Sequence, residues 1–254
     1  MPRQFLYTGH AAGFSARITA PFDEVVEAQA TSSLGITGGY SSARVDNFRH
    51  RELISFASAH TQASGVLSRK SGCFETLVSG VLEGLNLVDM VKADYIVGRL
   101  MSRHPVEPPK DGPDEPTITP VGSEFGKIRV AGYELKPVID ATLFNRVCSH
   151  TDLHNEIRRS DELRARFRVS EAAAKDTRPP SILVGSIVGE IHGGGPGVEI
   201  RGNTVHVPGF GTLHFGEFVI SQYSRRLVML RVELGCPVDM DASGPDMGGN
   251  GHPP

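Results

Sequence analysis

The chain has 254 residues, 29 Gly, 17 Pro, no Trp, a net charge of −3 and a pI near 6.4. This composition fits one globular unit rich in turns and excludes a chain-wide basic surface of the kind nucleic-acid-binding domains carry. No run of about 18 apolar residues occurs, which excludes a helical membrane span, and three widely spaced cysteines (Cys73, Cys148, Cys236) make neither a disulfide framework nor CxxC zinc pairs.

In chain order, Thr8, Gly9 and His10 interrupt the apolar run that a secretory signal needs, so the reading favours the cytoplasm. Phe5 to Ile18 reads as a strand with a turn, and residues 22–30 as a short helix or a polar strand. Gly35, Gly38 and Gly39 mark a turn. Residues 43–59, with small residues on both faces, predict a strand packed closely between neighbours. Residues 74–101 predict two or three strands joined by tight turns around Leu85–Asp89, since Gly80, Gly84 and Gly98 argue against a continuous helix. The Gly and Pro excess suggests that strands are short. Residues 102–124, with six prolines, read as a loop inside a single domain. Strand pattern resumes over 125–140 with a hairpin turn at Gly132.

Residues 151–175 predict a helical insertion capped by Thr151 or Asp152 and broken near Ser160. Its apolar stripe is Leu153 with Ile157 and Leu163 with Phe167. Residues 182–191 predict a strand, and Gly193–Gly197 a turn. A hairpin is expected over 203–208 and 212–220 around Gly209–Gly211. Pairing Val205 with Phe215 and Val207 with Leu213 puts four apolar side chains on one face and sets His206 opposite His214. Along 227–234, Val228, Leu230, Val232 and Leu234 are expected to point inward, and Met229, Arg231 and Glu233 outward. Residues 239–254 read as a flexible Gly/Pro tail. The expected fold is therefore mainly β: one antiparallel sandwich or barrel-like domain over 1–238, with the helical insertion near 151–175.

Four stretches carry a family resemblance. They are Tyr7-Thr8-Gly9 followed by Gly13; Glu83-Gly84-Leu85-Asn86-Leu87-Val88 running on to Asp94; Val121-Gly122-Ser123 followed by Ile128 to Tyr133; and Val205-His206-Val207-Pro208-Gly209 running on to Leu213. In this order they resemble bacterial choice-of-anchor P family proteins, over most of residues 5–235 apart from the helical insertion. The resemblance implies a β-rich extracytoplasmic module with no established activity, and it supplies no catalytic residues. The sequence departs from that family in showing no evident signal peptide or hydrophobic C-terminal anchor.

Searches for HExxH, GxSxG, GxxxxGK[ST] and a strand–helix GxGxxG all fail. Several constellations remain. His206 and His214, placed about 5 Å apart across the hairpin, would share a Zn²⁺ with His192, Glu190 or Glu217 as a third ligand. Arg164, Arg166 and Arg168, with Arg158 and Arg159, would meet phosphates, although Glu162 four residues before Arg166 points to a salt-bridged solvent helix. Arg49-His50-Arg51 suggests a local anion site, Asp89 with Asp94 a Ca²⁺ site, and Arg225-Arg226 a charged guard on a sheet edge. The reading preferred on these grounds is a non-enzymatic structural or interaction module that associates with itself or a protein partner and needs no cofactor. A metal-assisted hydrolase built on the 203–220 hairpin is the alternative, and nucleic-acid binding by the Arg-rich helix the third.

Overall fold

The computed structural model describes residues 5–18, 24–107, 114–147, 149–234 and the backbone of 246–252. The N-terminal half is a run of strands: β1 (Leu6–Ile18), β2 (Glu24–Ser33), β3 (Gly39–His50), β4 (Ile54–Ser68), β5 (Cys73–Leu87) and β6 (Val91–Pro105). Short strands β7 (Thr117–Thr119), β8 (Glu124–Phe125) and β9 (Ile128–Val130) lead to β10 (Tyr133–Ile139). Four short helices follow: α1 (Ala141–Arg146), α2 (His150–Arg159), α3 (Asp161–Arg166) and α4 (Glu171–Lys175). The chain returns to strand with β11 (Ile182–Ser186), β12 (Val188–Gly193), β13 (Glu199–Arg201), β14 (Thr204–Val207), β15 (Gly211–Ser221), β16 (Arg225–Leu234) and β17 (Asp246–His252).

These strands form two antiparallel sheets. One runs β13-β14-β15-β16-β17-β1-β2 with β11 also on β15; the other runs β12-β10-β9-β6-β5-β4-β3 with β7 and β8 on β6. Neither closes on itself, so the architecture is the sandwich and not the barrel. Alternating side chains explain the stacking. Phe14, Ala59, Val78, Leu82, Ile96, Phe215 and Leu230 are all fully buried and belong to one core drawn from both sheets. A satellite cluster of Phe5, Tyr7 and Phe74 closes one end, with Phe5 stacked on Phe74 at 4.4 Å.

Several expectations need correction. Of the helix and the polar strand read over 22–30 the strand is the one formed, and it extends over 24–33, where Val26, Ala30 and Ser32 are buried. The strands β4, β5 and β6 are long, fifteen residues each: their glycines sit inside the ladder, Gly80 directly opposite Gly98, rather than ending it. The Pro-rich segment is only partly a loop, since β6 runs to Pro105 and β7 and β8 pair with it. In the expected tail, Asp246–His252 form β17, which pairs with β1 and touches β16.

The hairpin keeps its apolar face but not its register. Val205 faces Leu213, His206 faces Thr212 and Val207 faces Gly211. Pro208 and Gly209 are the centre of the turn, with the Phe210 amide donating to the Val207 carbonyl at 3.0 Å and Gly209 at φ +73°. Proline followed by a left-handed glycine is the type II arrangement, and it centres the loop one residue earlier than expected. A one-residue move of the loop shifts pairing by two, so the faces survive and the histidine pairing does not. Met229, expected outside, is fully buried: its neighbours Phe218 and Leu227 are also covered, and Phe144 of α1 meets Phe218 edge-on at 5.7 Å.

The helical insertion starts earlier than 151 and is four pieces. Asp140, Ser149, Ser160 and Ser170 each cap one helix through a side-chain oxygen, so Ser149 takes the role expected of Thr151 or Asp152. Ser160 ends α2 and starts α3, where the break was expected, and Leu153, Ile157, Leu163 and Phe167 form the buried stripe. No described helix is long and apolar enough to cross a membrane.

Candidate functional site: an arginine-lined cleft

α3, the start of β12 and the β13–β14 turn meet around a cleft of about 390 Å³. Its walls carry Glu162, Arg166 and Arg168 from the insertion, Gly189 from β12, and Arg201, Asn203 and Thr204 from the hairpin turn. The C-terminus of α3 sets Arg168 in place. The Val169 amide donates to the Arg164 carbonyl at 3.0 Å and the Arg168 amide to the Ala165 carbonyl at 3.2 Å. These two bonds are a complete Schellman motif, whose left-handed position glycine usually fills. Here it holds Arg168 at φ +51°, a conformation that costs a non-glycine residue about 1–2 kcal/mol.

The other arginines are committed. Arg166 binds Asp140 at 2.8 Å and Glu162 at 2.7 Å with only 10% of its side chain exposed. Burial would raise the Asp140 carboxyl, but the Arg166 hydrogen bond, the Leu143 amide and the nearby guanidiniums hold it below the usual carboxylate range. Arg201 pairs with Glu199 at 2.8 Å in solvent. Among the described residues no acid forms an ion pair or hydrogen bond with Arg168.

Behind Thr204 lies a charged cluster. The Thr204 hydroxyl is 3.4 Å from His214 Nδ1, and His214 Nε2 is 3.3 Å from Glu233. Arg231 grips Glu217 through Nε at 2.6 Å and Nη2 at 2.9 Å and also pairs with Glu233. Glu217 is brought near His214 by Gly216, whose φ of +61° breaks the alternation between them. Burial lowers the His214 pKa, and the charges of Arg231 and Arg168 lower it further, against a raising effect of Glu217. Glu217 would be raised by burial, but Arg231, His214 and Arg168 pull it below its ordinary value.

The expected metal ligands do not converge. His206 is exposed beside Thr212, at 3.3 Å, and His192 lies in the other sheet beside Glu190, at 3.2 Å. Arg231 already fills the space between Glu217 and Glu233, and among the described residues no group of three or more His, Cys, Asp or Glu could hold a metal ion. Of the expected anion contacts, Arg166 and Arg168 reach the cleft. Arg164 does not: it pairs with Asp161 and donates to the Arg158 carbonyl at 3.3 Å. His50 and Arg51 face Glu24, at 3.6 and 2.7 Å, and Arg49 pairs with Glu52, so that trio is already neutralised. Asp89 and Asp94 go separately to Lys92 and Arg129, each at 2.9 Å. Cys73 is a free thiol, while Cys148 and Cys236 lie outside the described residues.

A family model, a domain of unknown function (DUF8256), matches residues 5–163 and 149–221. The chain belongs to this DUF8256 family. No curated protein and no solved structure matches it. Every residue lining the cleft lies inside the DUF8256 match, whereas Arg231 and Glu233 behind it lie beyond residue 221.

Sequence reasoning missed Arg201, Asn203 and Thr204. The Gly202-Asn203 pair signals a turn, but nothing in it says that the turn faces α3. It also misread Arg225, which is 1% exposed in a strand flanked on both sides and guards no edge. Among the described residues Arg225 Nε and Nη2 have no hydrogen-bond partner, and the buried rings of His150 and His154 lie near the Pro180 and Ala173 carbonyls. Nearby, Glu115 accepts from the Thr151 amide at 3.1 Å and hydroxyl at 2.7 Å.

Proposed function

We propose that this DUF8256 chain is a recognition module, non-enzymatic, whose cleft between the helical insertion and the β13–β14 turn seats a ligand. One observation carries the reading: three segments far apart in sequence, 162–168, 188–189 and 201–204, converge on an open cavity of about 390 Å³. That volume falls within the roughly 300–1,000 Å³ of small-molecule sites. The resemblance to choice-of-anchor P proteins points the same way, to a β-rich module with no established activity.

Ala165 lines the cleft from an exposed helix position, so Ala165→Phe fills the space without touching the core. NMR screening of a fragment library against the full chain should give hits whose shift changes map to residues 162–168 and 201–204. Those hits should weaken at least tenfold in Ala165→Phe. Hits scattered over the surface, or unchanged in the filled variant, would remove the cleft as the binding place.

A further inference from the structure

We infer that the cleft takes a small oxyanion-bearing ligand, a phosphate ester or a carboxylate, clamped between Arg168 and Arg201. This deepens the recognition reading and rests on it. Two observations are independent of each other. The first is the cavity, which is lined both by Arg168, from the end of α3, and by Arg201, from the hairpin turn. The second is the backbone of Arg168, held left-handed where glycine would sit without strain. Strain of this kind persists where the surrounding structure imposes it, and it clusters at ligand clamps.

The charges around the cleft leave Arg168 for the ligand. Arg166 is spent on Asp140 and Glu162, and Arg231 on Glu217 and Glu233. The Arg201–Glu199 pair is 84% and 57% exposed, so water screens it and Arg201 can turn to a better acceptor at little cost. A guanidinium fork meets phosphate or carboxylate with two parallel hydrogen bonds. The cleft also carries one acid, Glu162, already bound by Arg166.

The test is a thermal-shift and calorimetric comparison of the full-length wild type with Arg168→Gly and Arg168→Lys. Inorganic phosphate, acetate and a single-stranded oligonucleotide are the probes, with chloride at matched ionic strength. At ten times Kd, the bound anion should raise the wild-type Tm by about 3–6 °C. A shift with phosphate alone assigns a phosphate ester, and a shift with acetate assigns a carboxylate. Arg168→Gly should raise the Tm of the free protein, because the left-handed strain is relieved, and abolish the anion shift. Arg168→Lys, which keeps the charge but loses the fork, should weaken binding at least fivefold. Three results overturn the inference: no anion effect beyond chloride, an anion shift that survives in Arg168→Gly, or binding of the oligonucleotide only. If fragments still bind the cleft while both anions fail, the inference falls and the recognition reading stands.

Discussion

Arg225 is a charge buried without a partner, among the described residues, for two of its three nitrogens. Nη1 donates to the Ser224 carbonyl at 2.9 Å, and burial pushes the guanidinium down to about 9 against the charge of Glu115. His150 beside it is lowered first by burial and then by Arg225 and His154, while Glu115 and the Pro180 carbonyl act in the other direction. His154 is lowered by burial and then by Arg158, against the Ala173 carbonyl and Asp176. The sign follows. Both rings are harder to protonate folded than unfolded, where the pKa is about 6.5. Their contribution to stability is complete above that value and is lost as pH falls below it toward the lowered folded values. The wild-type Tm should therefore drop between about pH 7.5 and pH 5.5. His150→Gln/His154→Gln should flatten that drop, leaving the part due to His214, which burial lowers in the same sense. Equal pH slopes in the two proteins would show that these rings do not carry the dependence.

The helical insertion depends on one serine at its joint. Ser160 closes α2 and its hydroxyl accepts from the Leu163 amide at 3.2 Å to start α3. Ser160→Ala should lower stability by about 1 kcal/mol, a Tm loss of about 2–4 °C for a chain of this size, measured by calorimetry. Because α3 delivers Arg166 and Arg168 to the cleft, hydrogen exchange over 161–168 should quicken in the same variant while the β4–β6 ladder stays protected. The joint was legible because a serine interrupts a stripe that is apolar on both sides of it. The hairpin register was less legible: period-two patterning fixes the face, and only the Pro208-Gly209 turn fixes which residues sit opposite.

Over the whole molecule, β17 lies between β1 and β16 and completes the first sheet. Truncation after residue 238 removes it, exposing the hydrogen-bonding edge of β1, where Leu6 to Ala12 pair with 252 to 246. The truncated chain should have a lower Tm, and native mass spectrometry should show oligomers that the full chain lacks, since a bared edge is a template for another strand. An unchanged Tm and mass distribution would mean that β17 adds nothing to the sheet. β3 is a different case. It is a twelve-residue edge pairing only with β4 among the described residues, but its outward row carries the Arg44–Asp46 pair at 2.8 Å, and Asn47 bends it at φ +53°. Charge and a bend are the usual protection of an edge.

Composition and alternation were enough to determine a mainly β chain, the site of its helical insertion, the Ser160 break and the apolar face of the late hairpin. These are local properties, set by the period of the pattern and by which residues can cap or turn. Only the tertiary structure decided that Arg168 and Arg201, 33 positions apart, face one cleft while Arg164 turns away to Asp161. It alone separated His192 from His206 and His214, buried Met229 and took Arg225 into the interior. Each of those outcomes depends on which sheet or helix covers a given face, and a single strand or helix carries no record of what will be packed against it.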